Sequence, residues 1–331
     1  MSDRRTFLRA LGGAAALVLA PSTSRPATGK SLAGVFPIGF SPFTEDNKLD
    51  VDGLAAQVTF CNRTGVHGFV WPQLASAWTT LSESERLDGS AAILSAGKGN
   101  KTALVIGVQA PDMAAIERYS RHAERLGADA IIALPPSGVT DEKVLLEYYQ
   151  QVGHFSGLPL FAQSTGSMSL DLLVAMFKTI PTFRQVKDEA GNPLGRIADI
   201  RRRTGDQLKV FSGFGVQTMI TEMELGFSGH CPYVSVADIY AAAYDLWHQG
   251  EKRAAFDMFG RIQALSSMMP TNTLDILKAR GVLKPDTKTR SVQSPPSASS
   301  GSAARRPSSP PMSLEEVRQT LKAYLAPYLK G

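Results

Sequence analysis

The chain of 331 residues has two cysteines and five histidines, and no G-x-G-x-x-G motif follows its first candidate strand. Neither Cys61 nor Cys231 belongs to a C-x-x-C pair or to a Cys/His cluster with zinc-ligand spacing, which excludes structural zinc and a disulfide scaffold. We expect no bond between the two cysteines, because nothing in the sequence fixes their distance. The missing glycine motif argues against a dinucleotide-binding fold. We therefore expect neither a metal nor another cofactor.

The net charge of +5 lies at the two ends of the chain. Residues 1–30 carry five basic side chains against one acidic, and residues 278–331 carry ten against three, so the middle of the chain is net negative. A nucleic-acid-binding surface needs its basic residues on the folded face that contacts phosphates. We expect no nucleic-acid partner.

The first 30 residues are typical of an export signal. A charged start with paired Arg4-Arg5 precedes the apolar run 10–20, which is too short to cross a hydrocarbon core that needs about 20 residues. The paired arginines resemble the twin-arginine signal, which exports folded proteins across the bacterial inner membrane. We predict a signal peptide and short linker over 1–30, the twin-arginine machinery as a partner, a periplasmic location and no stable membrane insertion after cleavage. A basic arm on a cytoplasmic protein is the alternative.

From residue 33 onward, short apolar runs alternate with segments of helical periodicity. Continuous apolar runs are typical of parallel strands that are covered on both faces. Eight strand–helix units favour a closed (β/α)8 barrel, the TIM barrel, over an open doubly wound sheet. We predict this barrel and its following helices over 31–282. The predicted strands are 34–39, 68–71, 103–108, 130–134, 158–162, 183–187, 209–212 and 233–236.

The C-terminal part of the chain differs in composition. Residues 283–312 are rich in proline, serine and glycine, which bury too little apolar surface to fold, so we predict a disordered linker there. The pattern Ser313-x-x-Glu316 is a capping box, and it predicts a helical extension over 313–331 that docks on the barrel. The apolar stripe of this helix consists of Leu314, Val317, Leu321, Tyr324 and Leu325.

The sixth predicted strand ends in a lysine. In a (β/α)8 barrel the reactive groups lie at the carboxyl ends of the strands, and alternation places Lys187 on the same face as Gln185. If that face looks into the barrel, burial favours the neutral amine, which is the nucleophile that forms a Schiff base with a carbonyl group. An ion pair of Lys187 with Asp188 or Glu189 at the strand end is the alternative.

Several short motifs occur in an order and spacing that together are specific. They are Ser41-Pro42-Phe43, Thr80-Leu81-Ser82-x-x-Glu85-Arg86, Gly127-Ala128-Asp129-Ala130, Pro135-Pro136, Val186-Lys187-Asp188 and Ser212-Gly213. This set, over about 32–281, resembles the dihydrodipicolinate synthase / N-acetylneuraminate lyase family. The resemblance implies a homo-oligomeric class I aldolase-type barrel, a dimer or tetramer. It also implies that a lysine ending strand six, here Lys187, forms a Schiff base with pyruvate or another 2-oxo acid.

The chain departs from the family pattern at three sites. After strand four, the family's Pro-Tyr-Tyr is replaced by Pro135-Pro136-Ser137, so one tyrosine is lost there. The family's Gly-Thr-Thr-Gly-Glu after strand two, which binds the oxo acid carboxylate, is replaced by 73–77, Gln-Leu-Ala-Ser-Ala. The family's proton-shuttling tyrosine after strand five corresponds by spacing to Gln163, which cannot titrate. The loss of a positioned acid–base group typically costs about 10²- to 10⁴-fold in rate.

Two functions fit these departures. One is a divergent lyase or aldolase with a rebuilt proton relay, in which Lys187 is catalytic. The other is a non-catalytic barrel that binds a small carboxylate or serves as a structural partner. Trp71 and Trp78 flank the altered loop, either as core aromatics or as a cover over a larger, more apolar substrate. The candidate substrate-binding residues are Ser41, Gln73, Ser76, Gln163, Ser164 and Gly213.

Overall fold

The computed structural model describes residues 29–166, 168–213, 216–269, 272–290 and 312–326, together with Leu329. The predicted signal peptide, up to residue 28, and the stretch 291–311 of the predicted linker lie outside these residues. Eight parallel strands follow one another around a sheet in the order β1-β8-β7-β6-β5-β4-β3-β2. They are β1 (Gly34–Val35), β2 (Gly68–Trp71), β3 (Ala103–Gly107), β4 (Ala130–Ala133), β5 (Leu160–Ser164), β6 (Phe183–Asp188), β7 (Lys209–Ser212) and β8 (Gly229–His230).

A parallel bridge between Ile38 and Val70 joins the segment after β1 to β2 and closes the ring. Helices alternate with the strands, so the predicted (β/α)8 barrel is confirmed. Within the described ranges, no helix combines the length and apolar character needed to cross a bilayer. The helices are α1 (Val51–Thr64), α2 (Glu83–Ala96), α3 (Met113–Leu126), α4 (Glu142–His154), α5 (Leu170–Thr179), α6 (Pro193–Thr204), α7 (Met219–Leu225), α8 (Ala237–His248), α9 (Lys252–Met268), α10 (Thr273–Ala279) and α11 (Leu314–Leu325).

The interior of the barrel is filled by its own apolar cluster, separate from the larger core between strands and helices. Three aromatic rings lie at its centre: Phe211 contacts Phe36 and Phe161 with ring centroids 5.2 and 5.1 Å apart. Since side chains alternate along a strand, the residues two positions beyond Phe161 and Phe211 face the same interior, nearer the carboxyl ends. These positions are Gln163 and Gly213. The aromatic layer thus forms the floor of the predicted site.

The predicted eighth strand, 233–236, is wrong. The structure has β8 at Gly229–His230, and Val234–Val236 forms a 3-10 turn that leads into α8. Pro232 lies between the two segments and has no N–H group with which to extend the ladder. Tyr233 keeps only an isolated parallel bridge to Ile38.

The C-terminal helix packs on the helices that follow the barrel. Ser313 caps α11 in a capping box, and Val317, Leu321 and Leu325 are buried. Tyr324, which the sequence placed on the apolar stripe, is instead 51% exposed.

Residues 283–290, the start of the predicted linker, are packed on the barrel. Lys288 forms an antiparallel bridge with Phe43, and the Arg290 guanidinium donates to Glu85 over 2.7 Å. These contacts hold 283–290 on the barrel. This stretch has one proline and no serine or glycine, so it lacks the composition on which the linker prediction was based.

Both cysteines are free thiols, buried in different parts of the molecule. Cys61 belongs to the core between strands and helices, whereas Cys231 lies among the apolar residues inside the barrel. Burial raises the pKa of Cys61 well above its ordinary value and the pKa of Cys231 to about 12. Both thiols are therefore protonated near neutral pH.

Candidate active site

Lys187 lies on β6 with 6% of its surface exposed, on the same face of the strand as Gln185. Its Nζ is 3.4 Å from Oε1 of Glu189. Of the two ion pairs that the sequence left open, the structure therefore has the one with Glu189. The amine is enclosed by protein and has a carboxylate as its immediate neighbour.

Asp188 points to the opposite face of β6, away from the amine. The Ser164 hydroxyl donates a hydrogen bond to Oδ1 of Asp188, and Nε of Arg196 lies 3.2 Å from Oδ2. Burial raises the pKa of Asp188, and the hydrogen bond from Ser164 and the charge of Arg196 offset this only in part. The hydroxyl of Ser164, a predicted substrate-binding residue, is thus engaged on the outer side of the barrel.

Glu189 brings Gln163, Lys187 and Gly213 together, three of the residues that the sequence singled out. Its Oε2 accepts a hydrogen bond from Nε2 of Gln163 while its Oε1 faces Lys187. A Cβ atom at Gly213 would overlap the Glu189 carboxylate and would lie 2.7 Å from Cε of Lys187. Gly213 therefore provides the room in which the carboxylate and the amine meet. The sequence showed Glu189 only as a possible ion-pair partner and gave it no place in the site.

The predicted residues Ser41 and Ser76 hold the loop that follows β2. The Ser41 hydroxyl donates to the backbone carbonyl of Ser76 over 2.7 Å and accepts from Nε1 of Trp71 over 2.9 Å. The Ser76 hydroxyl donates to the carbonyl of Gly39 over 2.6 Å. Both hydroxyl groups are buried and already paired, so they position the loop.

Glutamine amides line the barrel interior. Nε2 of Gln73 donates to Oε1 of Gln109 over 3.2 Å. The amide oxygens of Gln73, Gln163 and Gln185 are buried and have no hydrogen-bond partner among the described residues. An unpaired buried acceptor costs about 1–3 kcal/mol, so these oxygens favour a ligand that carries hydrogen-bond donors. Above the aromatic layer the interior is therefore polar, with the uncharged glutamine amides beside the ionisable pair of Lys187 and Glu189.

A cavity of about 910 Å³ opens at the same end of the barrel, above β2 to β5. Gln109, Trp78 and Tyr148 line it, and among its described lining residues Asp141 is the one charged side chain. The Asp141 carboxylate is engaged as the N-cap of α4. Lys187 is not part of the lining. The other lining residues include Leu74, Pro111, Leu134, Pro136, Val139 and Val144.

A second buried ionisable pair lies outside the barrel interior. Nδ1 of His230, on β8, is 2.8 Å from Oε2 of Glu222 on α7, and the Ser212 hydroxyl donates to the same oxygen. Burial raises the pKa of Glu222, but the hydrogen bond and charge of His230, with the hydroxyls of Ser212 and Thr218, outweigh it and lower the pKa. No sequence motif pointed to this pair. In the part of the chain that the structure describes, no three His, Cys, Asp or Glu side chains are grouped as metal ligands.

The closed (β/α)8 barrel and the buried lysine at the carboxyl end of its sixth strand are the fold and the residue that the family resemblance implies for an aldolase-type barrel. Residues 31–287 match the model of the Dihydrodipicolinate synthetase family, and the chain belongs to that family. The family resemblance in the sequence is thereby confirmed, for a divergent member of a family of lyases.

Relatives and solved structures agree with this assignment. An uncharacterized DapA-like lyase of Thermococcus onnurineus is 24% identical over 250 residues, which cover 72% of this chain and 83% of the relative. Dihydrodipicolinate synthase from Rhodopseudomonas palustris superposes with a TM-score of 0.72 at 22% identity, covering 88% of this chain and 97% of the other. YagE of Escherichia coli K12, a family member solved in complex with pyruvate, has a TM-score of 0.72 at 16% identity, with coverages of 88% and 98%. The two solved structures support the fold.

Proposed function

We propose that the protein is a class I lyase or aldolase in which Lys187 forms a Schiff base with a pyruvate-like 2-oxo acid. The observation that carries the proposal is the buried Nζ of Lys187 at the carboxyl end of β6, facing the barrel interior. A carbonyl carbon condenses with such an amine once the amine is neutral, and an enclosed site holds the two groups in contact. The pyruvate complex of YagE, a member of the same family, supports a 2-oxo acid as the ligand class.

The cavity indicates the remainder of the substrate. Its lining is largely apolar, with Trp78 and Tyr148 as aromatic members, and carries no cation among the described residues. An anionic group would gain no counter-charge there and would lose hydration. We infer that the part of the substrate beyond the 2-oxo acid is uncharged and largely apolar, so that Trp78 covers it.

Treatment of the protein with a panel of 2-oxo acids and borohydride is expected to give a stable adduct on Lys187. Borohydride reduces the carbon–nitrogen double bond of the Schiff base to a secondary amine, which peptide mass mapping locates. Lys187→Met is expected to give no adduct, because the thioether is not a nucleophile towards the carbonyl group.

Lys209→Met is the matched control for this experiment. Lys209 begins β7 at the opposite end of the barrel, so its loss is expected to leave the adduct unchanged. A wild-type protein that gives no adduct with any 2-oxo acid would refute the Schiff-base proposal.

A non-catalytic barrel that binds a small carboxylate is the second candidate. The ion pair of Lys187 with Glu189 and the amide at position 163 favour it, because both reduce the reactivity expected of the site. A thermal shift with 2-oxo acids that persists in Lys187→Ala, without adduct formation in the wild type, would identify this function.

We also propose that the chain is exported to the periplasm by the twin-arginine machinery. We further propose that it assembles as a dimer or tetramer, as its family resemblance implies. Arg4→Lys with Arg5→Lys is expected to hold the protein in the cytoplasm, as measured by cell fractionation and immunoblotting. Arg25→Lys, the same change outside the arginine pair, is the control. An unchanged periplasmic fraction in the double variant would contradict the export proposal.

A further inference from the structure

We propose that Glu189 is the proton carrier for Lys187, and that it supplies the acid–base group that Gln163 cannot provide. The proposal rests on the proposed Schiff-base function and deepens it. It assigns a role to a side chain that lies two residues beyond the amine and that the family motifs in this sequence do not include.

The two carboxylate oxygens of Glu189 have different partners. Oε1 lies 3.4 Å from Nζ of Lys187, the atom that would react. Oε2 accepts the hydrogen bond from Nε2 of Gln163, which fixes the plane of the carboxylate. Because the side chain of Glu189 is only 13% exposed, the group that contacts the amine is fixed in direction and largely shielded from water. Gln163 thus positions the carboxylate that faces the amine.

The other titratable side chains near the amine are unsuited to this role. Asp188 faces the outer side of β6, where Ser164 and Arg196 engage it. Cys231 lies inside the barrel, but burial raises the pKa of its thiol to about 12, too high for proton exchange near neutral pH. Among the described residues around Lys187, Glu189 is the group whose position and chemistry both fit.

The proton transfers balance as follows. Glu189 accepts a proton from the Lys187 ammonium, which leaves a neutral amine and a carboxylic acid. The amine nitrogen forms a bond to the carbonyl carbon, and proton transfer from nitrogen to oxygen gives a neutral carbinolamine. The acid form of Glu189 then protonates the hydroxyl group, the carbon–oxygen bond breaks, and water leaves. The products are a protonated Schiff base, water and the original carboxylate.

The neutral form of the pair, an amine beside a carboxylic acid, also suits the substrate. While Glu189 holds the proton, the pair Lys187–Glu189 carries no formal charge, so the carboxylate of an incoming 2-oxo acid meets no negative charge at the amine. Gly213 allows this pair to form, because a side chain at that position would overlap the Glu189 carboxylate.

The test is the rate of adduct formation on Lys187 in Glu189→Gln, measured with pyruvate and borohydride trapping at neutral pH over time. Glutamine keeps the size of the side chain and cannot carry the proton. We expect a decrease of about 10²- to 10⁴-fold, the range of general acid–base catalysis. A carboxylate that merely masks the amine predicts the opposite sign, because its removal frees the amine and speeds the reaction.

Two further variants make the result specific. Glu189→Ala is expected to be as slow as Glu189→Gln and to regain part of its rate on addition of formate, which supplies a small carboxylate. Glu117→Gln, the same change at an exposed residue paired with Arg121 on α3, is expected to react at the wild-type rate. A rate in Glu189→Gln that equals or exceeds the wild-type rate overturns the role of Glu189 and leaves the proposed Schiff-base function in place. No adduct in the wild type overturns the proposed function and this assignment with it.

Discussion

Replacement of Asp238 with asparagine is expected to lower the free energy of unfolding by about 3–5 kcal/mol, the range for breaking a buried ion pair. Asp238 lies in the first turn of α8, and its two oxygens accept from the guanidinium of Arg280 over 2.8 and 2.7 Å. Both side chains are at most 2% exposed. The asparagine amide leaves the buried guanidinium without a counter-charge, which is the source of the loss.

The Arg280 guanidinium makes further contacts that fix it in place. It donates to the carbonyl of Ser235 over 2.8 Å and lies 4.6 Å from the ring centroid of Phe60 on α1. The ion pair thus joins α1, the turn after β8 and the end of α10. Loss of the ion pair is expected to weaken the packing of the C-terminal helices on the barrel.

Urea unfolding followed by circular dichroism measures this effect. Asp199→Asn is the matched control, because Asp199 pairs with Arg202 on the surface of α6, where exposed ion pairs contribute about 0–1 kcal/mol. The double variant Asp238→Leu with Arg280→Met is expected to regain most of the loss, since no unpaired buried charge is left. A loss below 1 kcal/mol in Asp238→Asn would contradict the proposed strength of the pair.

The barrel was predictable because most strands are short, continuous apolar runs between turn residues. β2 and β7 have the predicted bounds, and β3 and β4 differ from theirs by one residue. β8 was not predictable in this way: Gly229 and His230 have no strand-like pattern, whereas Tyr233–Val236 has one and forms a turn. Tertiary pairing with β7 and β1 decides this strand.

The site residues likewise fall into two groups, those predicted from local sequence and those whose roles depend on tertiary contacts. Lys187 was found from its place at a strand end and from a family motif, both of which are local in sequence. The roles of Gln163 and Gly213 depend on Glu189, since the amide donates to its carboxylate and the missing side chain makes room for it. Such a relation between β5, β6 and β7 has no signature in any short stretch of sequence. Ser164 is different, because the alternation of side chains along β5 already places it on the face opposite Gln163, outside the barrel.

Arg86 shows how a motif residue acquires its meaning only in three dimensions. It lies on α2, in the segment that matched the family pattern, and is 3% exposed. Its guanidinium donates to the backbone carbonyls of Gly107, over 2.6 Å, and of Gln109, and lies 4.1 Å from the ring centroid of Tyr119. Burial lowers the pKa of Arg86 to about 10. This cation therefore fixes the end of β3 beneath the cavity that Gln109 lines.

Arg86→Met is accordingly expected to lower the free energy of unfolding by about 3–5 kcal/mol, because two buried carbonyl groups lose charged donors. Arg86→Lys, which keeps the charge but not the fork of donors, is expected to lose about half as much. Arg118→Met is the control, since Arg118 pairs with Glu83 at the surface and is 50% exposed. Urea unfolding measures all three, and a change below 1 kcal/mol in Arg86→Met would contradict the structural role. Gln109 lines the cavity that is proposed to hold the apolar part of the substrate. Arg86→Met is therefore expected to need more of a 2-oxo acid with an apolar substituent for half-maximal adduct formation on Lys187, whereas Arg118→Met is expected to match the wild type.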